Sequence, residues 1–155
     1  MIDKLFFFIF MSFLLGTNHF IDIPAHESWI DTGIDVTEGQ EIRFRASGSI
    51  SLQRGNPIAV CGPEGYNLKT MQQPLKDYNI GALVGRIVFL VSVEIDEETN
   101  EEIRNEIIET FYIGSKATVI MPIKGRLFLG INESLVEDNL GRFEVNLEIL
   151  NSNDY

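Results

Sequence analysis

A chain of 155 residues offers one domain with one core and no room for a separate catalytic domain. Twelve basic residues against 23 acidic ones give a net charge of -11, so phosphate backbones and anionic lipid surfaces are repelled at neutral pH and no nucleic-acid partner is expected. The single cysteine, Cys61, excludes an intrachain disulfide and reads as a small buried apolar residue.

The chain opens with a short polar start, Met1 to Lys4, followed by the apolar run Leu5 to Gly16. That run is short for a bilayer span and has the length of a signal-peptide apolar region. The expectation is a signal peptide over residues 1–18, processed between Gly16 and Phe20, and a single domain over 19–155. The protein is then secreted or periplasmic, without membrane contact after processing. An apolar first strand or an uncleaved anchor is the alternative. Both histidines, His19 and His26, follow closely, outside any H-E-x-x-H pattern, so a zinc hydrolase is not indicated. Nothing in the sequence orients His26 toward Cys61 as a nucleophile pair.

Beyond this region the apolar spacing is close to two, the period of half-buried strands, and no amphipathic helix stands out. From Glu41 to Ala46 the apolar Ile42, Phe44 and Ala46 alternate with Glu41, Arg43 and Arg45. Further strands are expected over Ser47 to Leu52, Ala82 to Ile95, Ile103 to Ile113, Ala117 to Met121 and Leu127 to Ile131. Turn signals separate them: Thr37 to Gly39, Asn56-Pro57, Gly62 to Gly65, Pro122 to Gly125 and Asp138 to Gly141. The acidic stretch Glu94 to Glu109 is expected to form a long hairpin with its tip at Asp96 to Glu102, a solvated excursion in its simplest reading. The last strand is the clearest: Phe143, Val145, Leu147 and Ile149 alternate with Arg142, Glu144, Asn146 and Glu148. Many short strands bury their inner faces only by pairing two sheets, which predicts an all-β fold, a jelly-roll-like antiparallel β-sandwich, with a β-barrel as the alternative.

One loop is rich in oxygen. After the strand ending at Ile131 come Asn132, Glu133, Ser134, Glu137, Asp138 and Asn139, a supply of carboxylates, amides and carbonyls of the kind calcium takes. The EF-hand spacing is absent, and an ordinary polar turn is the simpler reading. Asn132-Glu133-Ser134 also matches a glycosylation sequon.

The stretch GRLFLGINESLVEDNLGRFEVNLEI, Gly125 to Ile149, resembles the C-terminal strand-loop-strand of the PA-IL-type galactophilic bacterial lectins. Upstream, Trp29 to Gly33 (WIDTG), Val36 to Gly39 (VTEG), Ile42 to Ile50 (IRFRASGSI), Cys61 to Gly65 (CGPEG) and Gly81 to Ile87 (GALVGRI) follow the order of that family. The resemblance implies a calcium-dependent, galactose-binding lectin without catalytic activity. It implies calcium as cofactor, held by Glu133 or Asn132, by Asp138 and Asn139, and by backbone carbonyls near Leu52 and Leu135. The ion in such lectins coordinates two sugar hydroxyls, so the implied partner is a glycan or small saccharide. The loop after Gly65 departs from the family's His-Pro-x-Gln segment, and Lys69, Gln72 and Gln73 stand in its place as sugar-contacting residues. Glu133 stands where the family has Asp. Trp29 is expected to close the core rather than to stack on sugar. The alternative to a lectin is a cell-surface structural or interaction domain that binds neither sugar nor metal. The oligomeric state is open.

Overall fold

The structure, a computed structural model, describes residues 16–150. It holds nine strands and, among the described residues, no helix: β1 (Thr17–Pro24), β2 (Trp29–Val36), β3 (Glu41–Ser51), β4 (Val60–Cys61), β5 (Leu83–Ile95), β6 (Glu102–Tyr112), β7 (Lys116–Ile120), β8 (Gly125–Ile131) and β9 (Leu140–Leu150). All pairings are antiparallel. One sheet runs β1-β9-β3-β4, with β7 also on β3, and the other runs β2-β8-β5-β6. The fold is the expected all-β sandwich.

Period-two alternation places the core. Ile42, Phe44 and Ile50 of β3 and Phe143, Val145 and Leu147 of β9 point inward from the first sheet. Leu83 and Ile87 of β5 with Leu127, Leu129 and Ile131 of β8 answer from the second. Burial of these side chains, about 1.5–3 kcal/mol each relative to exposure, is what holds the two layers face to face. Phe44 meets Phe111 of β6 across the interior, ring centres 6.0 Å apart and tilted.

The strand expectations over 82–131 fall within a residue or two of β5 to β8, and the acidic stretch is a hairpin between β5 and β6, as expected. Glu41 to Ser51 is one continuous strand rather than two, because Gly48, at φ +100°, carries the chain through while β3 keeps register with β9 from Glu41 to Ser51. Three strands lie outside the sequence expectations. β4 has only two residues, too few for a periodic signal, and β2 is interrupted by a register shift between Asp31 and Asp35 with Gly33 at φ +74°. β1 begins at Thr17 and pairs with β9 from Thr17↔Ile149 to Pro24↔Arg142, so a boundary after residue 18 would remove its first two residues. The rest of the expected signal peptide, residues 1–15, lies outside the described residues.

Where β3 and β9 lead to the loop end, two glycines make the close approach possible. A methyl group on Gly141 (φ +90°) would stand 2.5 Å from the Ser49 carbonyl oxygen, and one on Gly48 would stand 2.6 Å from that of Arg142. Both obstacles are backbone, which cannot swing aside. Gly141→Ala is expected to cost about 1–3 kcal/mol, combining left-handed strain with the contact, and to lower the denaturation midpoint. Equilibrium denaturation checks this; an unchanged midpoint would show that β3 and β9 can separate locally without loss.

Candidate functional site

The candidate site lies where the β8–β9 connection, residues 132–139, meets the β3–β4 and β4–β5 connections. Three contacts assemble it. The Arg54 amide donates to the Asp138 carbonyl (3.0 Å), the Gly81 amide to the Asn132 carbonyl (3.1 Å), and Val136, buried, anchors the middle of the loop. The Asn139 amide closes the turn onto the Val136 carbonyl at 3.0 Å.

Asn132 and Glu133, adjacent at the end of β8, serve different structures. Asn132 is fully buried, and its side chain holds the β4–β5 loop: Oδ1 accepts from the Leu75 amide (2.8 Å), while Nδ2 donates to the carbonyls of Leu75 and Asn79 (both 3.0 Å). Its amide, expected as an alternative metal ligand to Glu133, is here engaged with the loop backbone and anchors that loop. Glu133 faces the cleft. Its Oε2 accepts from Nδ2 of Asn139 at 2.6 Å, and the same nitrogen donates to the Ala25 carbonyl at 3.2 Å. Glu133 thereby fixes the orientation of the Asn139 amide, since the flipped form would set oxygen against carboxylate. Oδ1 of Asn139 is left buried without a hydrogen-bond partner.

Two neighbouring clefts share Glu133, Leu135 and Ile80. One, of about 350 Å³, is bounded by Leu52, Glu133, Leu135, Asp138, Tyr66 and Leu68. The other, of about 330 Å³, is bounded by Thr70, Met71, Gln72, Glu133, Ser134 and Leu135. Both have the size of a small-ligand site. The structure thus brings Leu52, Glu133, Leu135 and Asp138 to one cleft from sequence positions far apart, with Asn139 behind Glu133. Gln72 reaches the second cleft. Gln73 does not: it is buried, accepts from the Thr70 amide and hydroxyl (3.1 and 3.0 Å), and donates to the carbonyls of Leu75 and Tyr78. Expected as a sugar contact, its side chain here staples its own loop. Lys69 is exposed on that loop and bounds neither cleft as described.

The electrostatics of the cleft disfavour the charged form of Glu133. Burial raises the Glu133 carboxyl above the usual carboxylate range; the Asn139 hydrogen bond lowers it, and the negative charge of Asp138 raises it further. Burial first, and then Glu133, push the Cys61 thiol up to about 11. That is the reverse of what a nucleophilic thiol needs. Two carboxylates and an unpartnered amide oxygen, by contrast, are a donor set for a hard cation. Among the described residues no three of His, Cys, Asp and Glu gather as a metal site, so the remaining ligands would be carbonyl, water or ligand oxygens.

Sequence reading missed two other constellations. Glu64, in the Gly62 to Gly65 turn, accepts from the Ser115 amide (2.8 Å) and from the hydroxyls of Ser115 and Tyr112, and these bonds, that of Ser115 foremost, hold its carboxyl low. Tyr112 in turn stacks on Tyr78 at 4.5 Å, which ties the β4–β5 loop to the end of β6. No local motif signals a contact between positions so far apart. On the outer face of the second sheet, the Arg86 guanidinium lies 4.4 Å from the Trp29 ring and 5.1 Å from that of Phe128. Trp29, half-buried, packs across Gly130 there, so it covers the outer sheet face instead of closing the core.

No protein-family model and no curated protein matches the sequence. Among solved structures, the chain is similar to one described as the N-terminal domain of EclA, a PllA-like lectin, with 18% sequence identity and a TM-score of 0.57. The match covers 84% of this chain and 94% of that one. At this identity the likeness is one of fold alone: the two-sheet architecture described above is similar to that of the EclA N-terminal domain.

Proposed function

We propose that the protein is a carbohydrate-binding module, a lectin that takes a galactose-type sugar at the Glu133–Asp138 cleft with calcium as its cofactor. The observation that carries this reading is a small cleft of a sandwich with a lectin-like fold lined by two carboxylates, Glu133 and Asp138, with the unpartnered Oδ1 of Asn139 buried behind Glu133. Glu133, Asp138 and Asn139 would hold the ion, with the carbonyls of Leu52 and Leu135 as further donors. A bound calcium supplies a positive centre that sugar hydroxyls can coordinate. The chain's own residues do the rest. Asn132 and Gln73 hold the β4–β5 loop against the cleft, and Gln72 offers a hydrogen-bonding amide on its rim. Leu135, Leu68 and Met71 provide apolar surface beside these polar groups, as the carbon-bound hydrogens of a sugar ring require. No bond-breaking step is assigned. In this reading the module acts outside the cytoplasm, secreted or periplasmic, and a leader that ends ahead of Thr17 leaves β1 whole.

The test is the thermal midpoint of the protein with millimolar calcium and with excess chelator, followed by titration of galactose in the calcium sample. A site at about one hundred times its Kd adds about 2.7 kcal/mol, a shift of several degrees for a domain of this size. Asp138→Asn is expected to lose most of the calcium shift and with it the galactose response. A midpoint indifferent to both ligands would replace the lectin reading with that of an interaction domain.

Glu133 makes a second expectation with the opposite sign in the two states. Its folded pKa is raised, so the folded protein holds a proton that the unfolded chain has released. In chelator, stability is therefore greatest below the unfolded carboxyl range near 4.3 and falls as pH rises through the raised folded value. Glu133→Gln should flatten that fall and stabilise the chelated protein at neutral pH, while weakening calcium binding. Midpoints measured against pH, with and without calcium, check both signs.

A further inference from the structure

The hairpin of β5 and β6 outruns its sheet. β8 pairs with β5 only from Leu83 to Val88, whereas β6 continues to pair with β5 as far as Ile95↔Glu102. Beyond Val88 the structure is a two-stranded ribbon, a form that is marginal in water unless something covers it. It is also apolar on both faces: Leu90, Val91, Val93, Ile95, Ile103, Ile107 and Ile108 are each at least 40% exposed.

The free edges of the molecule are unequal. β2 is broken by its register shift, β4 and β7 have two and five residues, and β1 has eight and ends on Pro24. The ribbon edge of β5 is bulged between Leu90 and Ser92. Each of these devices discourages strand addition. β6 has none of them. Its eleven residues, EIRNEIIETFY, run without proline or lysine, and among the described residues no strand pairs with its outer edge.

We propose that this edge is the site of self-association, β6 pairing antiparallel with β6 of a second copy about a two-fold axis at Asn105. Of the registers that set opposite charges across the axis, the one centred on Asn105 pairs the longer stretch, Glu102 to Ile108 of each copy. Centred on Asn105, Arg104 lies opposite Glu106 of the second copy, and Ile103 lies opposite Ile107 of the second copy, each contact occurring twice by symmetry. Centring on Arg104 would set that residue against itself and Glu102 against Glu106. Centring on Glu106 would set glutamate against glutamate. Within one chain Arg104 already bridges Glu102 and Glu106, both at 3.1 Å, so its guanidinium is held on the face where the second copy's Glu106 arrives. The pairing joins two four-stranded sheets into one continuous sheet and buries isoleucines that are otherwise in water.

The test is the mass of the whole chain by light scattering and sedimentation over a dilution series. The expected result is a dimer that dissociates on dilution. Arg104→Glu should weaken it by about tenfold or more, through like charges placed opposite one another. The double variant R104E with E106R restores the opposite-charge pairs in the same register and should restore the dimer. Its thermal midpoint separates loss of pairing from loss of folding. A single-chain mass at every concentration overturns the proposal, as does a dimer that Arg104→Glu leaves unchanged or that the double variant fails to recover. A monomer in which the outward-facing β6 amides, those not bonded to β5, resist hydrogen exchange overturns it too, by showing that another segment of the same chain occupies the edge.

Discussion

Every strand of this protein gives one face to a single shared interior, and the rest of the structure follows from that constraint. Ile42, Phe44, Phe143 and Leu147 are buried only because Leu83, Ile87, Leu127 and Leu129 lie opposite them. Neither sheet would be stable alone, since each carries a continuous apolar face. With the inner faces committed to packing, chemistry is confined to outer faces and to the loops at the sandwich ends. The depth of the core also sets where the site begins: Ile131 is the last buried apolar residue of β8, and the polar loop leaves from there.

Asn132 and Glu133 divide the work at that exit. One buried amide holds the β4–β5 loop through three hydrogen bonds to its backbone, and the next side chain turns to the cleft that this loop helps to wall. An unmade bond to a buried backbone group costs about 1–3 kcal/mol, so the loop's position depends heavily on Asn132. The cleft owes its shape to residues engaged with the backbone and with one another: Asn132, Gln73, and the Glu64 network that ties the loop to the end of β6.

Much of the fold was legible because period-two alternation is a direct imprint of half-buried strands, and β3, β9 and the β5–β6 hairpin display it plainly. β4 was not, since two residues carry no period, and β2 was hidden by the irregularity at Gly33. The site was legible as a loop rich in oxygen, but not in the direction each side chain takes. Polarity alone ranks Asn132 beside Asn139 and Gln73 beside Gln72. Only packing shows which backbone each buried amide holds and that Gln72 alone of these four lines a cleft, because that choice rests on contacts such as Asn132 with Leu75, more than fifty residues apart in sequence. The loop resemblance pointed to Glu133, Asp138 and Asn139; Glu133 and Asp138 line one cleft with Leu52 and Leu135, and Asn139 lies behind Glu133.

The two acidic regions obey opposite electrostatics, which a net charge of -11 conceals. At the hairpin tip the Asp96 carboxylate accepts from the amides of Glu98 and Thr99, at 2.8 and 2.9 Å, and these bonds favour its charged form. Its neighbours are solvated, and their repulsion is screened within about 10 Å at ordinary salt. In the cleft the charge is partly withdrawn from water, Asp138 opposes Glu133, and the Asn139 oxygen has nothing to accept. An anionic cluster of that kind works against the fold at neutral pH when it stands alone. In the proposed reading a cation bound there would reverse this, favouring Glu133 in its charged form and giving the amide oxygen a partner. Stability of the sandwich and occupancy of the cleft would then be one linked equilibrium, because Glu133, whose charged form burial disfavours, is a proposed ligand of the ion.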